Sequence, residues 1–333
     1  MNSNKTDREK NKCCNDKRCL FYSSYEPQQS NFTTVTEEVR EGKGLWERCE
    51  RCGLVINRTG VEPSESNNFY NTEYIKDNSY SKGSLLSARE HFEERLPSIK
   101  VIADFLKQYL RNDMKVLEVG AATGELLYLI KNDVKECYGI EINELFSDFI
   151  QLELGIKASH TDYLKIDYEE KFDMIIAVNT IDHIYDILAT VEKMYWDLNE
   201  GGYLYLEVPN DNQALKEYLP EPQRKRFRQF MYQKAHYYSF TFDTLRRLLL
   251  QHDFNILHEE SRHDYSILNY MNWYFLGEPQ TKLKTAMLST DVHIGNTPFE
   301  NSINSLFAEF NESFKNIMRE CMVGETLCIL AKK

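Results

Sequence analysis

The stretch from Lys115 to Ile142 constrains this chain more than any other. It runs from an apolar strand (Lys115 to Val119) through a turn of small residues, Gly120-Ala-Ala-Thr-Gly124. A helix (Thr123 to Lys131) and a second apolar strand (Glu136 to Ile142) follow. Two short strands joined by a helix form a βαβ unit. Such a crossover makes the strands parallel, and a parallel sheet needs helices over both faces to bury it. The chain is therefore committed to an α/β fold.

The alternation continues on both sides of this unit. Upstream, Ile99, Ile102, Phe105, Leu106, Tyr109 and Leu110 recur at three- and four-residue steps, which predicts an amphipathic helix from Pro97 to about Asn112. Downstream come a short strand near Ile156 to Ser159, the apolar run Phe172 to Val178, a helix around Ile187 to Leu198 and a strand from Gly202 to Val208. An aromatic-rich insertion, Asn210 to Tyr238, interrupts the rhythm. A helix (Thr241 to Gln251), a strand (Phe254 to Glu260), a long helical region (Ser302 to Met322) and a last strand (Thr326 to Ala331) complete the pattern. Three parts are expected: a cysteine-rich module over 1–56, a connecting arm and helix start over 57–97, and an α/β domain over 98–333 with a lid-like insertion at 210–240.

Composition narrows the partners. Lys and Arg number 40 against 52 Asp and Glu, a formal charge of −12. That balance opposes binding to nucleic-acid phosphates, so a small-molecule partner is favoured. The one basic cluster, Arg224 to Arg228, reads as a solvated helix face. No run reaches the ~20 apolar residues of a membrane span, and the polar N-terminus lacks a signal-peptide core. A cytoplasmic protein is expected, in which cysteines are thiols or metal ligands. No pattern fixes the oligomeric state.

In a doubly wound sheet, ligands bind beyond the carboxyl ends of the strands. The Gly120–Gly124 turn, with Ala122 inside it, lets backbone approach a nucleotide-like cofactor closely. Glu141, ending the second strand, is placed to accept from two ribose hydroxyls. Asp162 follows the third strand and is placed to accept from an adenine amino group. Asn179-Thr-Ile-Asp-His183, after the fourth, lines the opposite side. Each acid alone could be a solvated or capping residue; agreement at four strand ends argues for a site.

At these residues Val116-Leu-Glu-Val-Gly-Ala-Ala-Thr-Gly124 resembles motif I of the class I S-adenosylmethionine-dependent methyltransferases. Phe172 to Val178, Ile181-Asp-His183 and Leu198 to Asn210 are similar to that family's fourth and fifth strand signatures. The resemblance spans Lys115 to Glu260. It implies a Rossmann-like, seven-stranded, mostly parallel sheet with an antiparallel last strand, here Thr326 to Ala331. It also implies S-adenosylmethionine as cofactor, with Glu118 and Gly120 at its methionine end, Glu141 at the ribose and Asp162 at the adenine.

A second layer lies near the N-terminus, where Cys14 with Cys19 and Cys49 with Cys52 offer four thiolates to a tetrahedral zinc ion, Cys13 being an alternative to Cys14. A cysteine-rich knuckle ending in Cys-Gly-Leu-Val, then Phe69-Tyr-Asn-Thr-Glu-Tyr74, resembles a methyltransferase subgroup whose members include enzymes of nucleotide-linked sugars and natural products. In its sugar carbon-methyltransferases a histidine serves as base and an upstream Tyr-Ser pair helps close the site. His236 resembles that histidine and Tyr80-Ser81 that pair, although Ala235 stands where the acid would be. His236 and His183 are thus the candidate bases for an acceptor hydroxyl. A small sugar or natural-product acceptor is the leading expectation; a macromolecule-modifying enzyme and a non-catalytic cofactor-binding module are the alternatives.

Overall fold

The computed structural model describes residues 19–21, 31–62, 65, 87–280, 287, 290–293 and 295–333. Two sheets organise them. The larger contains β4 (Lys115–Val119), β5 (Glu136–Ile140), β6 (Lys157–Ser159), β7 (Phe172–Val178), β8 (Leu198–Pro209), β10 (Asn255–Arg262) and β11 (Thr326–Lys332), in the order β10-β11-β8-β7-β4-β5-β6. The strands from β8 to β6 pair in parallel, whereas β11 runs antiparallel to both β8 and β10. This is the seven-stranded, mostly parallel Rossmann-like sheet expected from the sequence, with its last strand reversed.

Alternation along each central strand divides the core in two. Leu117, Ile175, Ala177, Leu204 and Leu206 pack on one face. Val116, Met174, Ile176 and Tyr205 pack on the other, against α1 (Ala88–Leu106) and α2 (Glu125–Ile130). Successive side chains of a strand point to opposite faces, so strands covered on both sides read as unbroken apolar runs.

Helix α1 starts at Ala88, well before the Pro97 start expected from periodicity. The reason is local. Ser87 and Glu90 form a capping box, each side chain bonding the other's backbone, which satisfies otherwise orphaned amides of the first turn. Pro97 lies inside the helix; its missing N–H removes one intrahelical bond, while Phe92, Ile99, Ile102 and Leu106 bury the apolar stripe on either side.

The smaller sheet joins β1 (Phe32–Val39), β2 (Gly42–Cys49), β3 (Val55–Asn57) and β9 (Tyr238–Ser239). Its last strand comes from the end of the 210–240 insertion, so N-terminal chain and insertion form one unit. Cys19, Phe21, Cys49, Cys52, Leu54 and Ile56 belong to the same apolar cluster as Leu245, Leu248 and Leu249 of α7 (Phe242–Gln251). Burial thus welds the cysteine-bearing segment to the large domain.

A buried ionic knot fastens the insertion. Asp211 is fully buried and accepts from Arg48 (2.8 Å), Lys216 Nζ (2.7 Å), Tyr232 (2.8 Å) and Ser239 (3.0 Å). Lys216 is itself only 2% exposed. The knot ties β2, the helix α5 (Ala214–Tyr218) and β9 together around one carboxylate.

Candidate active site

The site begins at the turn after β4. Gly120 has φ +78° and Gly124 φ +82°, a region that favours glycine, and a Cβ on Gly120 would lie 2.2 Å from Thr180 Oγ1. The absent side chain lets the ends of β4 and β7 close together. Ala122 also adopts a positive φ, +46°. Its amide donates to Glu141 Oε2 (2.9 Å), while Asn143 N–H donates to Glu141 Oε1 (2.8 Å). Glu141 therefore pins the turn at the end of β5. Burial pushes its carboxyl up to about 7 against the pull of those two amides.

A small pocket above the turn is lined by Arg95, Glu118, Gly120, Ala122 and Glu125. Glu118 is 4% exposed, and its Oε2 is buried with no hydrogen-bond partner. Burial, aided by the Glu125 charge, raises Glu118 well above the usual carboxylate range. A buried acceptor without a donor is costly, and a cationic N–H donor would relieve it. The ammonium end of a methionine-derived cofactor supplies such a donor, so the residues fit that group. Thr123 donates to Glu125 (2.8 Å), and α1 brings His91 Nδ1 (3.6 Å) and Arg95 Nε (3.4 Å) over the same carboxylate. The sequence reading did not single out His91, Arg95 or Glu125.

Asp162 and Asn179 stand at the neighbouring strand ends. Asp162 caps a 3-10 turn, its Oδ1 accepting from Leu164 N–H (3.1 Å), with Lys165 Nζ 3.6 Å from Oδ2. Asn179 is exposed, in a left-handed conformation (φ +48°).

Beyond Asn179 lies a second polar centre. The 3-10 turn Ile181–His183 carries Asp182, 1% exposed, neither of whose carboxylate oxygens makes a hydrogen bond. His236 Nδ1 lies 3.3 Å from Asp182 Oδ2 and His183 Nε2 3.7 Å from it. The two imidazole centroids are 4.3 Å apart. Burial drives His236 well below the ordinary histidine range, with the neighbouring His183 adding to it, and lowers His183 despite the Asp182 charge. Burial also raises Asp182. Both imidazoles are therefore neutral near pH 7. Tyr237 N–H donates to the Asp182 carbonyl (2.8 Å), and Asn57 Nδ2 donates to the His236 carbonyl (2.8 Å). The small sheet thus holds His236 in place. The two histidines singled out from sequence meet here; Asp182, their shared neighbour, had not been singled out.

Among the aromatic residues of the insertion and of α8 (Ile267–Leu276), Phe227, Tyr232, Tyr237 and Trp273 are buried, whereas Tyr218 and Tyr274 are exposed. The buried four are packing residues.

A third centre gathers Cys19, Cys49 and Cys52. Their sulfurs lie within 4.8 Å of one another, with Cys19 Sγ 3.4 Å from Cys52 Sγ. A disulfide would need about 2.05 Å, whereas thiolates on one tetrahedral zinc sit about 3.8 Å apart for Zn–S of ~2.3 Å. The spacing fits a shared metal. Cys14, like its alternative Cys13, lies outside the described residues, as does Tyr80.

Comparison with known proteins accords with this architecture. The profile of a methyltransferase-domain family matches residues 89–259, just over half of the chain. This chain belongs to that family and carries a class I S-adenosylmethionine-dependent methyltransferase domain. A curated relative, malonyl-[acyl-carrier protein] O-methyltransferase of Calditerrivibrio nitroreducens, is 27% identical over 133 residues, covering 37% of this chain and 52% of the relative. The chain thus spans about half the length of that relative. Among solved structures, an S-adenosylmethionine-dependent methyltransferase of Archaeoglobus fulgidus aligns at 20% identity over 73% of this chain and 98% of its own, with a TM-score of 0.45. An amino pentose methyltransferase of Micromonospora echinaspora aligns at 19% identity over 38% of this chain and 58% of its own, with a TM-score of 0.33.

Proposed function

We propose that the protein transfers the methyl group of S-adenosylmethionine to a hydroxyl of a small molecule, a sugar or natural-product intermediate. The observation that carries this reading is the placement of two unlike polar centres beyond the ends of the neighbouring strands β4 and β7. One, around Glu118, Gly120, Ala122, Gly124 and Glu141, suits a cationic nucleoside. The other, around His183 and His236, suits an acceptor that must lose a proton. When bound, the cofactor supplies an electrophilic methyl on a sulfonium.

The chain's own residues then have distinct tasks. Glu118 accepts from the methionine ammonium, Glu141 from the ribose hydroxyls, and Asp162 from the adenine amino group. Asn179 lines the same cleft, and a part in closing it is assigned to Tyr80 from the family resemblance alone. His236, neutral and backed by Asp182, takes up the acceptor proton, with His183 the other candidate base. In-line displacement needs alignment and exclusion of water, for which the 210–240 insertion is suitably placed in sequence. Zinc held by Cys19, Cys49, Cys52 and Cys14 would be structural: it would anchor the small sheet whose Asn57 supports His236.

Calorimetric titration with S-adenosylmethionine and S-adenosylhomocysteine, followed by an acceptor screen of sugars and polyketide-like alcohols, tests the reading. Binding followed by methylation of a small alcohol supports it. Cofactor binding with methylation only of protein or RNA would replace the acceptor class.

A further inference from the structure

We infer that Asp182, His183 and His236 form a binding site for a divalent first-row transition-metal ion, separate from the thiolate cluster. Two independent observations point there. The first is convergence: one carboxylate oxygen and two imidazole nitrogens, from the end of β7 and from the insertion, lie within 4.8 Å of one another. The 3.3 and 3.7 Å separations from Asp182 Oδ2 approach the spacing of neighbouring ligands around a metal with bonds of about 2.0–2.2 Å, roughly 3.0–3.5 Å. The second is need: Asp182 is 1% exposed, and both its oxygens lack hydrogen-bond partners. A buried carboxylate is paired or bound to a metal far more often than left bare, and neither histidine reaches it in hydrogen-bonding geometry.

Other features of the cluster suit a metal. The His183 ring is hydrogen-bonded to the backbone at Ala235, the kind of outer contact that orients a ligating imidazole. The side chains of His183 and His236 keep 11% and 12% of their surface exposed while Asp182 is sealed, so the open side of the site is the imidazole side. Two imidazoles and one carboxylate match first-row divalent ions and leave positions for further oxygen ligands. The Cys19, Cys49 and Cys52 sulfurs, being soft, disfavour hard ions such as Mn2+, which nitrogen and oxygen ligands accept.

This inference rests on reading the cluster as the acceptor half, and changes how the proton leaves. An acceptor hydroxyl seated on the ion is acidified, and its proton passes to solvent at the exposed imidazole edge. Its oxygen then bonds to the methyl carbon as the sulfur–methyl bond breaks, with that electron pair remaining on sulfur. His236 acts as ligand in place of base.

The protein carrying one equivalent of zinc, with any further metal removed by a chelator, is titrated with Mn2+, following loss of the free-ion electron paramagnetic resonance signal and, in the bound state, nitrogen couplings by electron spin echo. One equivalent bound with imidazole-nitrogen couplings is expected. Asp182→Asn should weaken that binding about 100-fold or more, whereas Cys49→Ser should leave it unchanged. If Asp182→Asn unfolds, the wild-type nitrogen couplings alone decide. No Mn2+ bound, or Mn2+ bound without nitrogen couplings, overturns the inference. S-adenosylmethionine titration of the same preparation separates the two readings: cofactor binding without Mn2+ binding sinks only the metal site, and Mn2+ binding without cofactor binding sinks only the methyl-transfer reading.

Discussion

The two halves of the site are built in opposite ways. The cofactor half is local: Glu118, Gly120, Ala122 and Gly124 fall within seven residues of one strand and turn, and Glu141 reaches back to the Ala122 amide. The proposed acceptor half is assembled from distant chain. Asp182 and His183 follow β7, His236 comes from the insertion, and Asn57 of the N-terminal sheet holds the His236 carbonyl. A half-site fixed by backbone conformation depends on a few glycines. One assembled across elements depends on whatever fastens those elements together.

That contrast predicts where each half breaks. The largest effect should come from Asp211→Ala, which leaves Lys216 buried without its carboxylate and releases Arg48, Tyr232 and Ser239. Removing one partner of a buried ion pair costs about 3–5 kcal/mol. Chemical denaturation should show a loss of that order, with the insertion and small sheet losing protection from hydrogen exchange before β4 and β5. Uniform loss across the molecule would show that the halves are not separately fastened.

Next is Gly120→Ala. Its Cβ would meet Thr180 at 2.2 Å and force a side chain into a φ of +78°, at a cost of roughly 1–3 kcal/mol for the backbone conformation alone. Cofactor affinity should fall at least about 10-fold while the Asp182 cluster survives; unchanged affinity would contradict the close approach of β4 and β7.

Glu141→Ala should weaken cofactor binding by about 1.5–3 kcal/mol, the worth of hydrogen bonds to a charged group. The same residue gives a pH dependence. Its carboxyl is raised to about 7, and the proposed ribose hydroxyls would donate to the ionised form. Affinity should therefore be highest above pH 7 and fall as pH drops through 7. In the cofactor-free protein the sign is the reverse for stability. A raised carboxyl favours the folded state while protonated, so this group's contribution declines as pH rises from about 4.5 to 7. Flat affinity between pH 6 and 8 would remove Glu141 from the ribose.

The smallest expected effect on binding, though not on turnover, is at the histidines. His236→Ala and His183→Ala should leave cofactor affinity within about twofold while turnover falls roughly 100-fold or more, whether the imidazole lost is a base or a metal ligand. Turnover unchanged across a pH series in both would dismiss them from the chemistry.

The same contrast explains what the sequence disclosed. The β4 turn and the succession of strands and helices along the chain are legible because strand period, glycine placement and apolar runs are local signals, whereas the seven-stranded sheet with its reversed last strand follows only from the family resemblance. Helix α1 was read too short because Pro97 masked a start that the Ser87–Glu90 capping box sets three turns earlier. His183 and His236 were visible as residue types, but Asp182 was not. Its importance comes from burial and from the Tyr237-to-Asp182 backbone bond that brings the insertion alongside, neither of which leaves a periodic trace. The Cys49-x-x-Cys52 spacing announced itself, while the approach of Cys19 to within 3.4 Å of Cys52 depends on the shared apolar core.

The cofactor half depends above all on the proposed seating of a cationic nucleoside over the β4 turn with Glu118 at its methionine end. Calorimetric titration of the wild type and of Glu118→Gln with S-adenosylmethionine tests it most directly. One-to-one binding by the wild type and at least about 10-fold weaker binding by the variant are expected, the size of a charge-assisted hydrogen bond. Absence of binding by the folded, metal-replete wild type, or equal affinity in the two, would contradict it.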